Sequence, residues 1–258
     1  MTTPIDRFLV KKLLEAASTF PWSVQGMGMF RLYLSKELRL HVWDPAFRTP
    51  GVSDIHTHPW DFTSHVVVGK ITDHVYVEAP SSEAALSEQG LPTHMMGTIV
   101  CGPNPTVRGA SELCRVKLRE RSVYDITSGL SYKRVAQEIH RSEPESYTVT
   151  IIERRFHADT EHAQVYWPLG TEWVSAEPRD ATNAEVAQMA SRTLERWKDV
   201  WSGSEVNRRG VIGRCTEPGK TCLACDRMGY HVEPVWEKQK VQPEEVGDLT
   251  KALFRAKP

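Results

Sequence analysis

Two histidines one residue apart open the stretch HTHPWDF at residues 56–62, and Pro59, Trp60 and Asp61 follow at once. In a β-strand successive side chains alternate faces, so His56 and His58 point the same way and their imidazoles can converge on one ion. Neutral imidazole is a good ligand for Fe, Ni, Cu or Zn, and a site needs at least one more ligand from another element. The competing reading of the same spacing is a pair of ordinary, partly buried strand histidines. A second cluster lies far downstream. In CTEPGKTCLACDRMGYH, Cys215, Cys222, Cys225 and His231 surround a CxxC pair and a Gly/Pro turn. Four ligands at that spacing can close a tetrahedral zinc site, which would staple a segment poor in apolar residues. Such a closed site is structural rather than catalytic. Free thiols, or a redox CxxC pair, are the alternatives.

The elements that must position the histidines read as a β-rich body. From about Met29 to Phe156 the sequence breaks into short runs with period-two alternation or β-branched enrichment, separated by Gly and Pro. The expected strands are MFRLYLS, ELRLHVWD, SDIHTH, SHVVVGKI, DHVYVEA, MMGTIVCG, LCRVKLRE, SVYDI, YKRVAQEIHRS and YTVTIIERRF, with APSSEAALSEQGLPTH as an inserted loop. Many short strands punctuated by turns favour a barrel or sandwich over a parallel α/β sheet.

Ahead of this body, Thr3, Pro4 and Asp6 resemble a helix start, and Ile5, Phe8, Leu9 and Leu13 recur at helical spacing. Behind it, Thr182 and Glu185 form a capping box before Val186, Met189, Ala190, Leu194, Trp197 and Trp201. Residues 202–258 are rich in Gly, Pro and charge, hold the cysteine cluster, and end in a short expected helix from Glu244 to Arg255. The resulting division is an N-terminal helical segment (1–28), a β-barrel (29–170) and a C-terminal helix with a Cys-rich extension (171–258).

Composition bounds the partners. The 258 residues are 40% hydrophobic and 25% charged with a formal net charge of -1, which is ordinary for a globular chain and gives no global pull toward nucleic acid or anionic lipid. No run approaches the length of a membrane span, and Lys11 and Lys12 interrupt the N-terminal apolar run. Five cysteines, three of them clustered, fit a reducing compartment, so a cytoplasmic protein is expected. Arg208, Arg209, Arg214, Lys220 and Arg227 lie beside the cysteines, but that density is usual for a solvated surface, and nucleic acid is not expected as a partner.

The stretch GVSDIHTHPWDFTSHVVVG resembles the first motif of the cupin superfamily: a glycine, His-x-His, an acid shortly after, then a second glycine. Gly51, His56, His58 and Gly69 fall near the family positions. In that superfamily the two histidines bind a metal, a glutamate four residues after the second is often the third ligand, and a histidine on a later strand completes the set. Here the glutamate position holds Phe62, and Asp61 is one residue out of register. The resemblance therefore implies a three-histidine site, of the kind found in iron-dependent thiol dioxygenases. It implies a double-stranded β-helix barrel as the fold, and a homodimer by analogy.

The second motif of the family is poorly kept. Gly129 fits its glycine, but Tyr132 would then hold the histidine place, and His140, before the turn SEPES, is the better third ligand. Glu138 shares the face of His140 by strand parity, so both could reach the site. Asp61 could orient a histidine or act as a general acid or base, or be a turn residue after Pro59 and Trp60. Tyr132, Tyr124 and Arg154 project from barrel strands and could contact substrate, although half-exposed strand faces explain them equally well. His65 falls on the opposite parity to His58 unless Pro59 resets it. His41 and His74 read as half-buried strand histidines, and His94, His157 and His162 lie in loops without a visible constellation.

The function expected from these residues is a metal-dependent cupin-type oxygenase acting on a small molecule. Its Fe(II), or another divalent transition metal, is held by His56, His58 and His140, with Asp61 and Tyr132 as candidate catalytic residues and a structural Zn at the cysteine cluster. Metal-assisted isomerase or hydrolase chemistry is compatible with the same ligands. The alternative from a different class is a non-catalytic metal- or ligand-binding cupin whose zinc-stapled C-terminal module contacts partners.

Overall fold

Side-chain alternation, not helical periodicity, organises most of the chain. The computed structural model describes residues 7–79, 92–101, 110–157 and 162–201, together with the backbone of 212–215. Helix α1 (Arg7–Glu15) leads into the strands β1 (Ser23–Gln25), β2 (Met27–Tyr33), β3 (Leu38–Arg48), β4 (Ile55–His56), β5 (Trp60–Val68), β6 (Lys70–Glu78) and β7 (Thr93–Val100). There follow β8 (Ser111–Thr127), β9 (Ser131–Arg134), β10 (Ile139–Pro144), β11 (Val149–Phe156), β12 (His162–Pro168) and β13 (Arg179–Asp180). Helices α2 (Asn183–Arg196) and α3 (Lys198–Trp201) precede a last strand, β14 (Ile212–Cys215).

The strands form two seven-stranded sheets, one in the order β13-β1-β2-β3-β11-β5-β9 and the other β14-β8-β6-β10-β4-β12-β7. Their ladders are antiparallel, as at β11 with β3 and β5 and at β10 with β4 and β6. The second sheet curls: the first half of β8 pairs with β7 and the second half with β6, so one long strand joins both sides of it. The protein is thus mainly β, as the sequence implies.

In the first sheet Phe30, Leu32, Leu40, Val42, Val149 and Ile151 pack against Val10, Leu13 and Leu14 of α1 and Val186, Met189 and Ala190 of α2. Each of these side chains except Ala190 contributes roughly 1.5–3 kcal/mol when fully buried. The helices therefore cover one face of this sheet. The capping box expected at α2 is present: Thr182 Oγ1 accepts from Glu185 N–H at 3.3 Å, and the Glu185 carboxylate accepts from Thr182 N–H at 2.8 Å. The other face of the first sheet packs against the second, with Phe62, Val66, Tyr132 and Ile152 meeting Ile71, Val75, Tyr124 and Ile126. Between those two sheets lie the residues of interest.

Some boundaries differ from the sequence reading. YKRVAQEIHRS is two strands, β9 and β10, parted by a turn in which Gln137 takes a φ of 63° and donates its N–H to His58 O at 2.8 Å. That backbone bond to another segment outweighs the strand propensity of the run. LCRVKLRE and SVYDI merge into β8, and β12 follows the last expected strand. Gly69, the second glycine of the motif, makes the β5–β6 turn with a φ of +90°, and a Cβ there would meet Thr148 Oγ1 at 2.4 Å. Both demands select glycine. Among the described residues no helix is long and apolar enough to cross a membrane. Thr3, Pro4 and Asp6, most of the inserted loop, and the Glu244–Arg255 helix lie outside the described residues.

Candidate metal centre

His56 sits in β4 between β10 and β12, directly opposite His140 on β10 and Val165 on β12. Residues paired across antiparallel neighbours project from the same face, so the two imidazoles stand side by side. Their neighbours Ile55 and Ile139 go the other way, into a small core with Leu118 and Tyr166. β4 ends at His56, yet His58 still points with it. The stretch is clamped instead: buried Thr57 donates to Gln137 Oε1 at 3.0 Å and accepts from Gln164 N–H at 2.8 Å, while His58 O takes the Gln137 N–H.

The three side chains converge. His56 Nε2 and His58 Nε2 are 3.2 Å apart, the ring centroids of His140 are 4.8 Å from His56 and 5.2 Å from His58, and one ligand atom from each of the three lies within 4.8 Å of the others. Two nitrogens bound tetrahedrally to one ion at about 2.0–2.1 Å would be separated by roughly 3.3 Å. The His56–His58 separation matches that value.

Hydrogen bonds select the tautomers. His56 Nδ1 donates to the Asp54 carbonyl at 2.9 Å, and His140 Nδ1 donates to Asp73 Oδ1 at 3.1 Å. His56 Nε2 is thereby turned toward His58 Nε2 at 3.2 Å, and His140 Nε2 is buried with no protein partner. Burial above all, then the charge of His140, lowers the pKa of His56 to about 4. Burial, with His56 and His140 adding to it, holds His58 well below its ordinary value. Both rings are neutral at pH 7, the state a metal requires. The residues fit a divalent transition metal, and they do not choose among Fe, Ni, Cu and Zn.

Asp73 anchors the third histidine. It is completely buried and accepts from His140, from Ser142 Oγ at 2.8 Å, and from Arg134 Nε at 2.8 Å and Arg134 Nη2. Burial alone would raise its pKa; the Arg134 guanidinium and the His140 hydrogen bond outweigh that and hold it at about 2. A carboxylate behind a ligating histidine fixes ring orientation and raises its basicity. Asp73 and Arg134 escaped the sequence reading, although a signal existed: Asp73 shares strand parity with Ile71 and Val75, which places an acid on a buried face.

The remaining candidates are distributed as follows. Phe62 lies against the cluster, its ring 5.3 Å from His58 and 5.6 Å from His140. Asp61, its strand neighbour, faces away and accepts from Ala136 N–H at 2.7 Å and His157 Nε2 at 3.0 Å. Tyr132 is buried behind Phe62, with its hydroxyl 3.5 Å from Ser142 Oγ, and burial raises its pKa. Glu138 turns to Arg134, 3.7 Å away, and is not on a strand shared with His140. His65 is bonded to Ser131 Oγ at 2.7 Å and Glu153 Oε1 at 3.2 Å, outside the cluster. Cys215 ends β14 opposite Ser122, its side chain outside the described residues together with Cys222, Cys225 and His231. No protein-family model matches this chain, and no curated protein matches it in sequence.

Proposed function

We propose that this protein is a cupin-type, metal-dependent oxygenase acting on a small molecule, with His56, His58 and His140 as the ligands of one Fe(II). The observation that carries this reading is the convergence of three imidazoles, two with Nδ1 already committed to an acceptor. Fe(II) held by three protein nitrogens supplies the one-electron chemistry with dioxygen that no side chain here supplies. Phe62 in place of a glutamate keeps the ligand set neutral and, with Trp60 stacked at 5.1 Å on His58, makes one wall of the site apolar. Asp73 keeps the proton of His140 on Nδ1, and Arg134 keeps Asp73 ionised. Tyr132 holds the Ser142 side of that network, and Asp61 fixes the loop at Ala136, so both act on the site by positioning. The cupin barrel, a cytoplasmic location and a homodimer belong to the same proposal, as does a structural zinc at Cys215, Cys222, Cys225 and His231.

Oxygen uptake tests it. Fe(II)-loaded protein is offered a panel of small thiols and organic acids in an oxygen electrode. Uptake stimulated by one of them in wild type and abolished in His140→Ala supports the proposal. A protein that binds Fe(II) but consumes no oxygen with any of them is a metal-binding protein of the alternative kind.

A further inference from the structure

Beside the histidines, the inner face of the first sheet carries a set of cations that the metal centre does not use. Arg31 lies opposite His41 across the β2–β3 pair, and Arg39 and His41 lie opposite Ile152 and Thr150 across β3–β11. Arg154 stands two residues along β11 from Ile152, on the same face by alternation. Arg31, Arg39, His41 and Arg154 are each at most 9% exposed.

Glu37 acts on the charge of Arg154 without pairing with it. Among the described residues none of the three arginines forms an ion pair; Arg31 reaches Ser23 Oγ at 3.3 Å, and Arg154 Nη2 donates to the Lys36 carbonyl. Their other neighbours include the Cys101 thiol near Arg39 and several rings, with Tyr33 4.4 Å from the Arg39 guanidinium and Trp60, Tyr33 and Phe156 within 5.6 Å of that of Arg154. The same fold pairs its other deeply buried arginine, Arg134, with Asp73, which makes the contrast informative. Burial first, then Arg154, pushes the pKa of Arg39 down to about 9, a measure of how poorly its charge is compensated. Arg39 Nε, Arg154 Nε, His41 Nε2 and Thr150 Oγ1 are buried atoms with no protein partner. Native interiors rarely leave such groups without a partner of some kind.

The cluster adjoins the histidines through one ring. Trp60 stacks on His58 at 5.1 Å and also lies 5.4 Å and 5.3 Å from the guanidinium carbons of Arg39 and Arg154. Tyr33 and Phe156, at 49% and 41% exposure, border it on the solvent side. We infer that Arg31, Arg39, Arg154 and His41 form the recognition half of the site, and that its ligand is a small oxyanion carrying at least two negative charges. Planar guanidiniums match carboxylate and phosphate oxygens bidentately, and three of them without a paired acid fit a dianion better than a zwitterion, whose ammonium group they would repel. A dicarboxylate and a phosphate ester share this chemistry.

The inference rests on the metal reading for the identity of the dianion as a substrate, and the two are tested apart. Metal-free full-length protein is titrated with inorganic phosphate, malonate and acetate at low ionic strength, following Trp fluorescence and melting temperature. Phosphate or malonate should bind and raise the melting temperature, acetate should bind at least tenfold more weakly, and added NaCl should weaken binding. Binding of malonate alone assigns a dicarboxylate, and of phosphate alone a phosphate ester. Arg39→Met and Arg154→Met should each lower the affinity at least tenfold. Because each removes a repelled charge, neither should lower the melting temperature of the free protein. Absence of dianion binding, equal binding of acetate, affinity unchanged in both variants, or a fall in the melting temperature of both free variants overturns the inference. Failure of dianion binding in a protein that takes up one metal leaves the metal centre standing; dianion binding in a protein that takes up none does the reverse.

Discussion

Asp73 on β6 and His140 on β10 meet diagonally across two paired strands, Oδ1 to Nδ1 at 3.1 Å, with Asp73 wholly buried and His140 nearly so. Through that bond the carboxylate determines which nitrogen of His140 is free. Arg134 stands behind the carboxylate, so a chain of three side chains runs from a buried ion pair to the three-histidine cluster.

Asp73→Asn should therefore weaken divalent metal binding about 10- to 100-fold, the usual consequence of losing such a partner. It should also destabilise the metal-free protein by about 3–5 kcal/mol, because the buried ion pair of Arg134 with Asp73 is broken. Metal competition with a chromophoric chelator, alongside denaturant unfolding, checks both. Unchanged affinity would mean that the carboxylate serves only the fold.

Metal-free protein should lose stability as the pH falls below about 6.5. His56, His58 and His41 all have folded-state pKa values below the unfolded one, mainly through burial, with His56 at about 4. Between these values the unfolded chain takes up protons that the folded chain refuses, so stability is complete above the unfolded pKa and is lost on the way down to pH 4. Melting temperatures from pH 8 to 4 measure this. A flat profile would show that these rings are not held neutral.

Phe62→Glu should convert the neutral ligand set into one with a carboxylate beside His58 and His140. Without metal the variant should be less stable by about 1–3 kcal/mol, since a buried acid is left unpaired. With metal it should bind Mn(II) more tightly than wild type. A Mn(II) titration of the two proteins decides, and equal affinities would mean that Phe62 does not stand in the ligand position.

Gly69→Ala should cost at least about 1 kcal/mol, because alanine resists the positive φ and its Cβ would lie 2.4 Å from Thr148 Oγ1. Chemical denaturation reads the change, and a neutral result would show that the β5–β6 turn relaxes easily.

The legibility of this site in sequence follows from the range of the interactions. His56 and His58 were readable because their spacing is local, and the capping box at Thr182 and Glu185 for the same reason. His140 could be named only through the resemblance, since its pairing with His56 joins segments more than eighty residues apart. Parity failed where the chain left the sheet: Glu138 was expected beside His140, but the Val135–Glu138 turn, tied to His58 O, breaks the strand between them. His41 read as an ordinary strand histidine because nothing in ELRLHVWD tells that Arg31 and Arg154 arrive on the same face. Alternation of Leu38, Leu40 and Val42 with Arg39 and His41 did carry part of the message: a strand with apolar residues on one side and cations on the other, both sides buried except at its edge.

The central claim is that His56, His58 and His140 hold one metal ion. It is tested most directly by metal content, measured by mass spectrometry on protein purified without chelators and reconstituted anaerobically, in a Cys222→Ala background that sets aside the cysteine cluster. The account predicts one equivalent of a divalent transition metal that falls to near zero on adding either His56→Ala or His140→Ala, with the fold retained by circular dichroism. One equivalent persisting in folded His140→Ala would contradict it.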